Sequence, residues 1–170
     1  ENWLMYYVSG TEWIHKDLPR YNIQIAMSHD GLKWERDGTI AIDFKDNNEM
    51  ALARPWVIKD DGIYKMWFSF KGEINKGGGY RLGYAESYDG LDWERMDDQV
   101  GITVSNEGWD SEMIQYPYVF NHKEHKYMFY NGNGYGVNGG GIHISNSSPT
   151  MHIELLIRIF IIKRVIKIKK

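Results

Sequence analysis

The stretches "SHDGLKWER" (28–36) and "SYDGLDWER" (87–95) decide how the chain is interpreted. Seven of their nine letters agree, and the second copy follows the first at an offset of 59 residues. A catalytic motif rarely needs a second copy, whereas a structural unit that is stacked or arranged in a ring does. The duplication therefore predicts a repeated structural unit.

The shared letters of the two copies suit a tight corner between two strands. In each copy an aspartate can accept backbone N–H bonds inside the turn, and a glycine can supply a positive φ. A tryptophan then begins the outer strand and can pack between neighbouring units. These residues are Asp30, Gly31 and Trp34 in the first copy and Asp89, Gly90 and Trp93 in the second.

Other segments repeat with nearly the same period. "WLMYYVSG" (3–10), "YKMWFSFKG" (64–72) and "KYMFYNGNG" (126–134) are alike, and "ARPWV" (53–57) matches "QYPYV" (115–119). The aligned methionines lie 61 and 62 residues apart, and the aligned prolines lie 62 apart. A period of about 60 residues that holds several short strands is typical of propeller blades.

One whole unit can be drawn between residues 53 and 97, with strands predicted at 54–59, 63–70, 80–87 and 91–96. Four antiparallel strands per unit make a propeller blade. The sequence therefore predicts an all-β fold, a partial β-propeller of about two and a half to three blades. We assign the propeller to residues 1–148.

The remaining segment, residues 149–170, is expected to lie outside the repeat. Its part "IELLIRIFIIKRVIKIKK" (153–170) has a net charge of +5 and lacks the Gly, Asp, Trp and Tyr that are common before it. Such a break in composition marks a boundary. It is too charged for a bilayer span, so we predict a basic, Ile- and Lys-rich tail that is a helix or an irregular end.

Bulk composition limits the classes of partner. The 170 residues include 18 Gly and 15% aromatic residues, which suits short strands joined by tight turns. The net charge is −3, so the sequence lacks the excess of basic residues that is typical of nucleic-acid-binding proteins. Cysteine is absent, which excludes disulfides and thiolate metal sites, and we expect neither a metal nor a cofactor.

No signal peptide is visible, but the first residue is Glu1, so localisation stays open, as does oligomeric state.

The repeats resemble the five-bladed propeller glycosidase superfamily. The segments that carry the resemblance are "ARPWVIKDDGIYKMWFS", "YRLGYAESYDGLDWER" and "WDSEMIQYPYVF". The superfamily includes arabinanases, xylosidases, invertase-like enzymes and mannoside phosphorylases. The resemblance is strongest to uncharacterised glycosidase-like propellers encoded with bacterial surface-polysaccharide genes. It covers about residues 1–147 and implies a carbohydrate, an oligo- or polysaccharide, as the partner.

The long segments between the strands converge on one end of the predicted blades, because the strands alternate in direction. They are 37–54, 71–79, 97–113 and 131–141. Function tends to lie on such loops. Glycoside hydrolysis commonly needs two carboxyl groups, and the catalytic candidates on these loops are Glu112, Asp110 and Glu49. The alternative for each of the three is a solvated loop acid or a turn cap without a catalytic role.

Candidate sugar contacts lie on the same segments. A guanidinium at Arg54 could bind a carboxylate, a phosphate or sugar hydroxyls, or else form an ion pair between blades. Aromatic rings can stack on sugar faces and amides can bind hydroxyl groups, although most propeller aromatics serve packing. The candidates are Trp56, Trp109, Tyr116, Tyr118, Asn131 and Asn133.

The family's acids do not map directly onto this chain. Arabinanase- and invertase-like enzymes carry Asp immediately before the inner-strand proline of one blade, and Arg54 and Tyr116 hold that position here. They carry Glu two residues before the proline of the next blade, where this chain has Gln115. Three functions therefore stay open: hydrolysis or transfer at a glycosidic bond, carbohydrate binding without catalysis, and a non-functional truncated gene fragment.

Overall fold

The structure, a computed structural model, describes residues 2–72 and 78–146. The predicted tail, 149–170, lies outside this range. The described part contains ten β-strands and two short 3-10 helices, at Asp97–Gln99 and Gly134–Gly136. No helix in the described part of the chain is long and apolar enough to cross a membrane.

The ten strands form three blades. The first blade contains β1 (Trp3–His15), β2 (Leu18–Ser28) and β3 (Ile40–Ile42). The second contains β4 (Ala51–Asp60), β5 (Ile63–Lys71), β6 (Arg81–Ser87) and β7 (Glu94–Arg95). The third contains β8 (Gln115–His122), β9 (His125–Asn131) and β10 (Gly140–Asn146).

Strand pairing within each blade is antiparallel and follows chain order. The first two blades also touch through one parallel bridge, between Tyr21 of β2 and Ala51 of β4. This architecture is a partial β-propeller, and the predicted fold class is confirmed.

The duplicated corner has the same hydrogen bonds in both copies. Ser87 Oγ accepts the N–H of Gly90 at 2.8 Å, and Asp89 Oδ1 accepts the N–H groups of Leu91 and Asp92 at 2.8 and 3.0 Å. The first copy repeats all three bonds between Ser28 or Asp30 and the N–H groups of Gly31, Leu32 and Lys33. Gly31 and Gly90 have φ angles of 73° and 82°.

The N–H donors of the corner stabilise the charged form of its aspartate. The N–H of Asp92, then that of Leu91, holds the pKa of Asp89 below its ordinary value, and Lys33 and Leu32 do the same for Asp30. The corner is thus a turn built around a carboxylate, as the duplicated letters predict.

The outer strands are shorter than expected. The fourth strand, predicted at 91–96, is only Glu94–Arg95, because the corner carboxylate holds the preceding residues in a turn. In the first blade the outer strand is reduced to one bridge, Met27 with Glu35. The segment 37–54, expected to be a loop, contains β3, which pairs with β2 through Ile23 and Ile42.

Two hydrophobic clusters fill the spaces between the blades. The first joins blades one and two and is centred on Ile23, Ile25, Leu52, Met66 and Phe68. The second joins blades two and three and is centred on Trp67, Leu82, Ile114, Val119 and Met128. Each blade therefore buries its apolar residues against its neighbour, as stacked repeats do.

The second corner also joins the first two blades directly. Tyr6 of β1 donates its hydroxyl proton to the Gly90 carbonyl at 2.8 Å, and its ring meets Trp93 edge to face at 5.5 Å. A Cβ atom at Gly90 would lie 2.9 Å from Leu4 Cδ1 and 3.0 Å from the Tyr6 hydroxyl. Gly90 thus meets two requirements, a positive φ and close contact with the neighbouring blade.

We expect Gly90→Ala to destabilise the fold more than Gly62→Ala. Both glycines have a positive φ, 82° and 84°, so both substitutions cost about 1 kcal/mol of backbone strain. Only Gly90 faces a neighbour, since a Cβ at Gly62 meets nothing within 4 Å, and the clash should add about 1–3 kcal/mol. Urea unfolding followed by circular dichroism measures both. Equal losses would show that this contact does not hold the blades together.

Candidate functional site

The inner strands β4 and β8 each contain a residue with left-handed backbone. β4 and β8 each have an irregular register around a proline, between Ala53 and Trp56 and between Gln115 and Tyr118. Within these bulges Arg54 and Tyr116 have φ angles of 55° and 59°. A left-handed conformation is uncommon for residues with bulky side chains and costs of order 1–3 kcal/mol each.

The two bulges lie side by side. The Arg54 guanidinium lies 5.1 Å from the centre of the Tyr116 ring. The backbone N–H of Tyr116 donates to Ser69 Oγ at 2.8 Å, and Ser69 is fully buried in β5. Blade two therefore holds the bulge of blade three in position, and the exposed Arg54 side chain is placed over an aromatic ring.

Three more tyrosines surround this pair. The hydroxyl groups of Tyr21 and Tyr80 form a hydrogen bond of 2.7 Å, and the ring of Tyr135 meets that of Tyr80 edge to face at 6.2 Å. Tyr135 is 56% exposed and is also left-handed, with φ of 60°. We call Arg54, Tyr21, Tyr80, Tyr116 and Tyr135 the tyrosine–arginine cluster.

Two tyrosines of the cluster, Tyr80 and Tyr116, have a raised pKa. Burial raises the pKa of Tyr116, the hydroxyl of Tyr135 raises it further, and Arg54 opposes the shift. Burial, and then the hydrogen bond with Tyr21, raises the pKa of Tyr80 above its ordinary value. The hydroxyl groups of Tyr80 and Tyr116 are therefore neutral donors and acceptors at physiological pH.

Glu49 lies beside a different group. The residue is 4% exposed, and its carboxylate accepts hydrogen bonds from both terminal nitrogens of Arg95, at 2.6 and 2.7 Å. The N–H of Lys45 adds a third bond at 2.8 Å, and Asp97 shares the same guanidinium. The structure thus places Glu49 in an ion-pair network that joins the start of β4 to the end of β7.

Asp110 and Glu112 differ in their surroundings. Asp110 is 6% exposed and accepts the Tyr130 hydroxyl proton at 3.0 Å. Glu112 is exposed; its N–H donates to Asn133 and its carbonyl accepts from Arg81, both at 2.8 Å. Within residues 2–72 and 78–146, the Glu112 carboxylate forms no hydrogen bond or ion pair. Its catalytic role stays a prediction, as do those of Asp110 and Glu49.

The predicted aromatic contacts lie mainly between structural elements. Trp56 donates its indole N–H to the Val119 carbonyl at 2.6 Å and packs on Tyr118 at 4.2 Å, so it joins blades two and three. Tyr118 remains 47% exposed. Trp109 stacks on Tyr130 at 5.4 Å and lies so close to Gly141 that a Cβ there would meet it at 2.4 Å.

The two asparagines connect loops. Asn133 is 4% exposed and accepts the N–H groups of Glu112 and Met113 at 2.8 and 3.1 Å while donating to the Gly108 carbonyl at 3.0 Å. Asn131 donates to the Tyr135 carbonyl at 3.5 Å. Both therefore support the backbone around the cluster, and their sugar-binding role stays a prediction.

The sequence indicated some of the cluster and missed the rest. Arg54 and Tyr116 were candidates, whereas Tyr21, Tyr80 and Tyr135 were not. Tyr21 and Tyr80 lie 59 residues apart, the same offset as the duplicated corners, so the repeat extends to them and could have identified the pair. The left-handed φ of Tyr135 has no signal in the sequence.

Gln115 is fully buried. Neither polar atom of its amide has a hydrogen-bond partner among the residues described. An unsatisfied buried amide costs about 1–3 kcal/mol. In the same part of the chain, no group of three or more His, Asp or Glu side chains is arranged to hold a metal ion.

Two proteins of Mycobacterium tuberculosis, Uncharacterized protein Rv1502 and Uncharacterized protein MT1551, are each 39% identical to this chain over 142 residues. The match covers 82% of this chain and 46% of each relative. The chain therefore spans about half the length of the curated relatives it matches. No protein-family model matches the sequence.

Several solved structures share the fold. A mutant of the Bombyx mori GH32 β-fructofuranosidase BmSUC1 in complex with sucrose has a TM-score of 0.67 at 16% identity, covering 87% of this chain and 32% of that one. Zg3597, a family 117 glycoside hydrolase of Zobellia galactanivorans, has a TM-score of 0.67 at 18% identity, covering 85% and 48%.

A third similar structure, the BT0996–RGII complex, has a TM-score of 0.60 at 22% identity, covering 89% of this chain and 43% of that protein. At these identities the likeness shows the fold alone. The fold is one that these two glycoside hydrolases, BmSUC1 and Zg3597, also have.

We expect Glu49→Gln to destabilise the protein strongly, because it leaves the half-buried Arg95 guanidinium with one of its two acidic partners. The loss should be about 2–4 kcal/mol. Glu12→Gln is the matched control: Glu12 pairs with Arg20 at 2.9 Å, but its side chain is 56% exposed, so the loss should be under about 1 kcal/mol. Denaturant unfolding compares the two. A stable Glu49→Gln variant would argue against a structural role for Glu49.

Proposed function

We propose that this protein is a glycosidase-like, carbohydrate-active protein of the five-bladed propeller type. In this proposal it binds an oligo- or polysaccharide at the tyrosine–arginine cluster and acts by hydrolysis or transfer at a glycosidic bond. One observation carries the proposal: an arginine and four tyrosines from separate segments converge on one end of the blades, and three of the five have left-handed backbone.

The chemistry of the cluster suits a sugar. Ring faces can cover the apolar face of a pyranose or furanose, while hydroxyl and guanidinium groups bond to its hydroxyls. Backbone strain concentrates at ligand sites, where the surrounding structure maintains it. Asp61 and Lys123, the other non-glycine residues with positive φ among those described, lie in the tight turns that join β4 to β5 and β8 to β9.

The similar structures support the same class of ligand. BmSUC1 is a β-fructofuranosidase that was solved with sucrose, and BT0996 was solved in a complex named for RGII. Their ligands belong to those proteins, and the shared fold makes a carbohydrate the first class to test here.

We expect Tyr135→Ala to weaken oligosaccharide binding about tenfold, because the substitution removes the whole exposed ring that would cover a face of the sugar. Tyr88→Ala is the control: Tyr88 is 85% exposed but lies in the second corner, away from the cluster. Binding of a panel of neutral and acidic oligosaccharides, followed by calorimetry, measures both. If no sugar of the panel binds the unaltered chain, the proposal fails.

A role in cleavage is best tested at Glu112. It is the candidate acid whose carboxylate is exposed and unpaired within the described part, whereas Glu49 and Asp110 have side-chain partners. A general acid there should lose about 10²–10⁴ in rate on Glu112→Gln. Glu107→Gln, exposed on the same segment, is the control and should leave the rate unchanged.

The readout is turnover of the oligosaccharide that binds best. Unchanged turnover in Glu112→Gln would eliminate Glu112 as the acid. Equal sugar binding with no turnover in either the unaltered chain or the variant would favour a binding protein without catalysis, the second candidate. The buried, partnered state of Glu49 and Asp110 supports that second candidate.

A further inference from the structure

The proposed carbohydrate function leaves the chemical class of the sugar open, and we infer from Arg54 that the ligand is an acidic sugar whose carboxylate this guanidinium binds. The inference rests on the proposed function and narrows it. It depends on three properties of Arg54: no acidic partner lies beside it among the described residues, its backbone is strained, and its guanidinium lies against the Tyr116 ring.

Arg54 differs from the arginines around it. Arg20 pairs with Glu12, Arg95 pairs with Glu49 and Asp97, and Arg81 donates Nη1 to the carbonyls of Gly79, Tyr80 and Glu112. Arg54 is exposed, and its guanidinium lies over the Tyr116 ring. Across residues 2–72 and 78–146, no carboxylate lies within ion-pair distance of it. Its donors are therefore available to a ligand.

The position of Arg54 is maintained against a cost. Its φ of 55° lies in a region that only glycine adopts readily, and the next residue is Pro55, which restricts it further. Glycine would adopt this conformation without strain, whereas arginine adopts it at a cost. The bulge directs a fork of N–H donors to the end of the blade where the tyrosines lie.

The charge balance favours a carboxylate over a phosphate. Arg54 is the cation whose charge acts on the Tyr116 hydroxyl. One guanidinium balances one carboxylate, and the fork can bind both of its oxygens. A phosphate near two negative charges would exceed the single charge of Arg54, and the neighbouring Arg81 already donates its Nη1 to the carbonyls of Gly79, Tyr80 and Glu112.

The tyrosines supply the remaining contacts for a uronic acid. Tyr116 and Tyr135 present partly exposed rings, and the buried Tyr80 presents its hydroxyl with that of Tyr21. These groups suit the ring face and hydroxyls that an acidic sugar shares with a neutral one. Arg54 is then the contact that distinguishes the two.

The test compares uronic-acid oligosaccharides with their own methyl esters, because esterification removes the charge and keeps the shape of the sugar. Calorimetric titration of the 170-residue chain should show the acid form binding at least about tenfold more tightly than the ester. Arg54→Gln should abolish this preference. Arg36→Gln, a change at an exposed arginine outside the cluster, should preserve it.

Two further variants separate recognition from folding. Arg54→Gly relieves the left-handed strain, so it should keep the midpoint of thermal unfolding while losing the preference for the acid. Arg54→Lys keeps the charge without the fork and should retain only part of the preference. A large loss of stability in Arg54→Gly would assign the residue a structural role and overturn the inference.

The remaining outcomes are distinct. Equal binding of acid and ester would overturn the inference and leave the proposed function standing. Binding of inorganic phosphate at the cluster, with no preference for the acid sugar, would assign Arg54 to phosphate and also overturn it. Failure of every sugar, neutral or acidic, to bind would instead reject the proposed function itself.

Discussion

The contact between the second corner and the first blade is the constraint on which the rest of the structure depends. A single blade is one layer of strands and buries its apolar residues only against a neighbour. The corner carboxylate of Asp89 fixes the turn, and the turn presents the Gly90 carbonyl to Tyr6 at 2.8 Å. Because Gly90 has no side chain, β1 can approach this closely, and the cluster of apolar residues between the blades closes behind the contact.

The opposite end of the blades follows from the same packing. The second hydrophobic cluster packs blade three against blade two in the same way, so the inner strands β4 and β8 lie next to each other and their two bulges become neighbours. Ser69 of β5 then binds the backbone of Tyr116 in the next blade at 2.8 Å. The strained residues are held by bonds that belong to the fold, which is how a site keeps a costly backbone. The Glu49–Arg95 network connects the base of this region to the outer strand of blade two.

Much of the fold was predictable because it is encoded by local rules that the chain repeats. The corner letters, the aligned methionines and the prolines predicted three of the strands of the middle blade nearly to their ends, with 54–59 inside β4, 63–70 inside β5 and 80–87 overlapping β6. The short outer strands and β3 were not predicted, because turn bonds and pairing with β2 decide them. The site was only partly predictable: Arg54 and Tyr116 stand beside conspicuous prolines, but the partner of Glu49 lies 46 residues away, and no local pattern reports such a contact.

The hydroxyl pair of Tyr21 and Tyr80 has a consequence for the hydrogen bonds that this end of the blades can offer. Two phenols share one hydrogen bond, and either oxygen can be its donor. Whichever hydroxyl donates internally, the other keeps its proton for an outside acceptor, so reversing the pair moves the available proton from one blade to the other. Rotation of two O–H bonds is enough to make this exchange, and no heavy atom has to move. The pair can thus offer a hydrogen-bond donor from either side of the boundary between two blades.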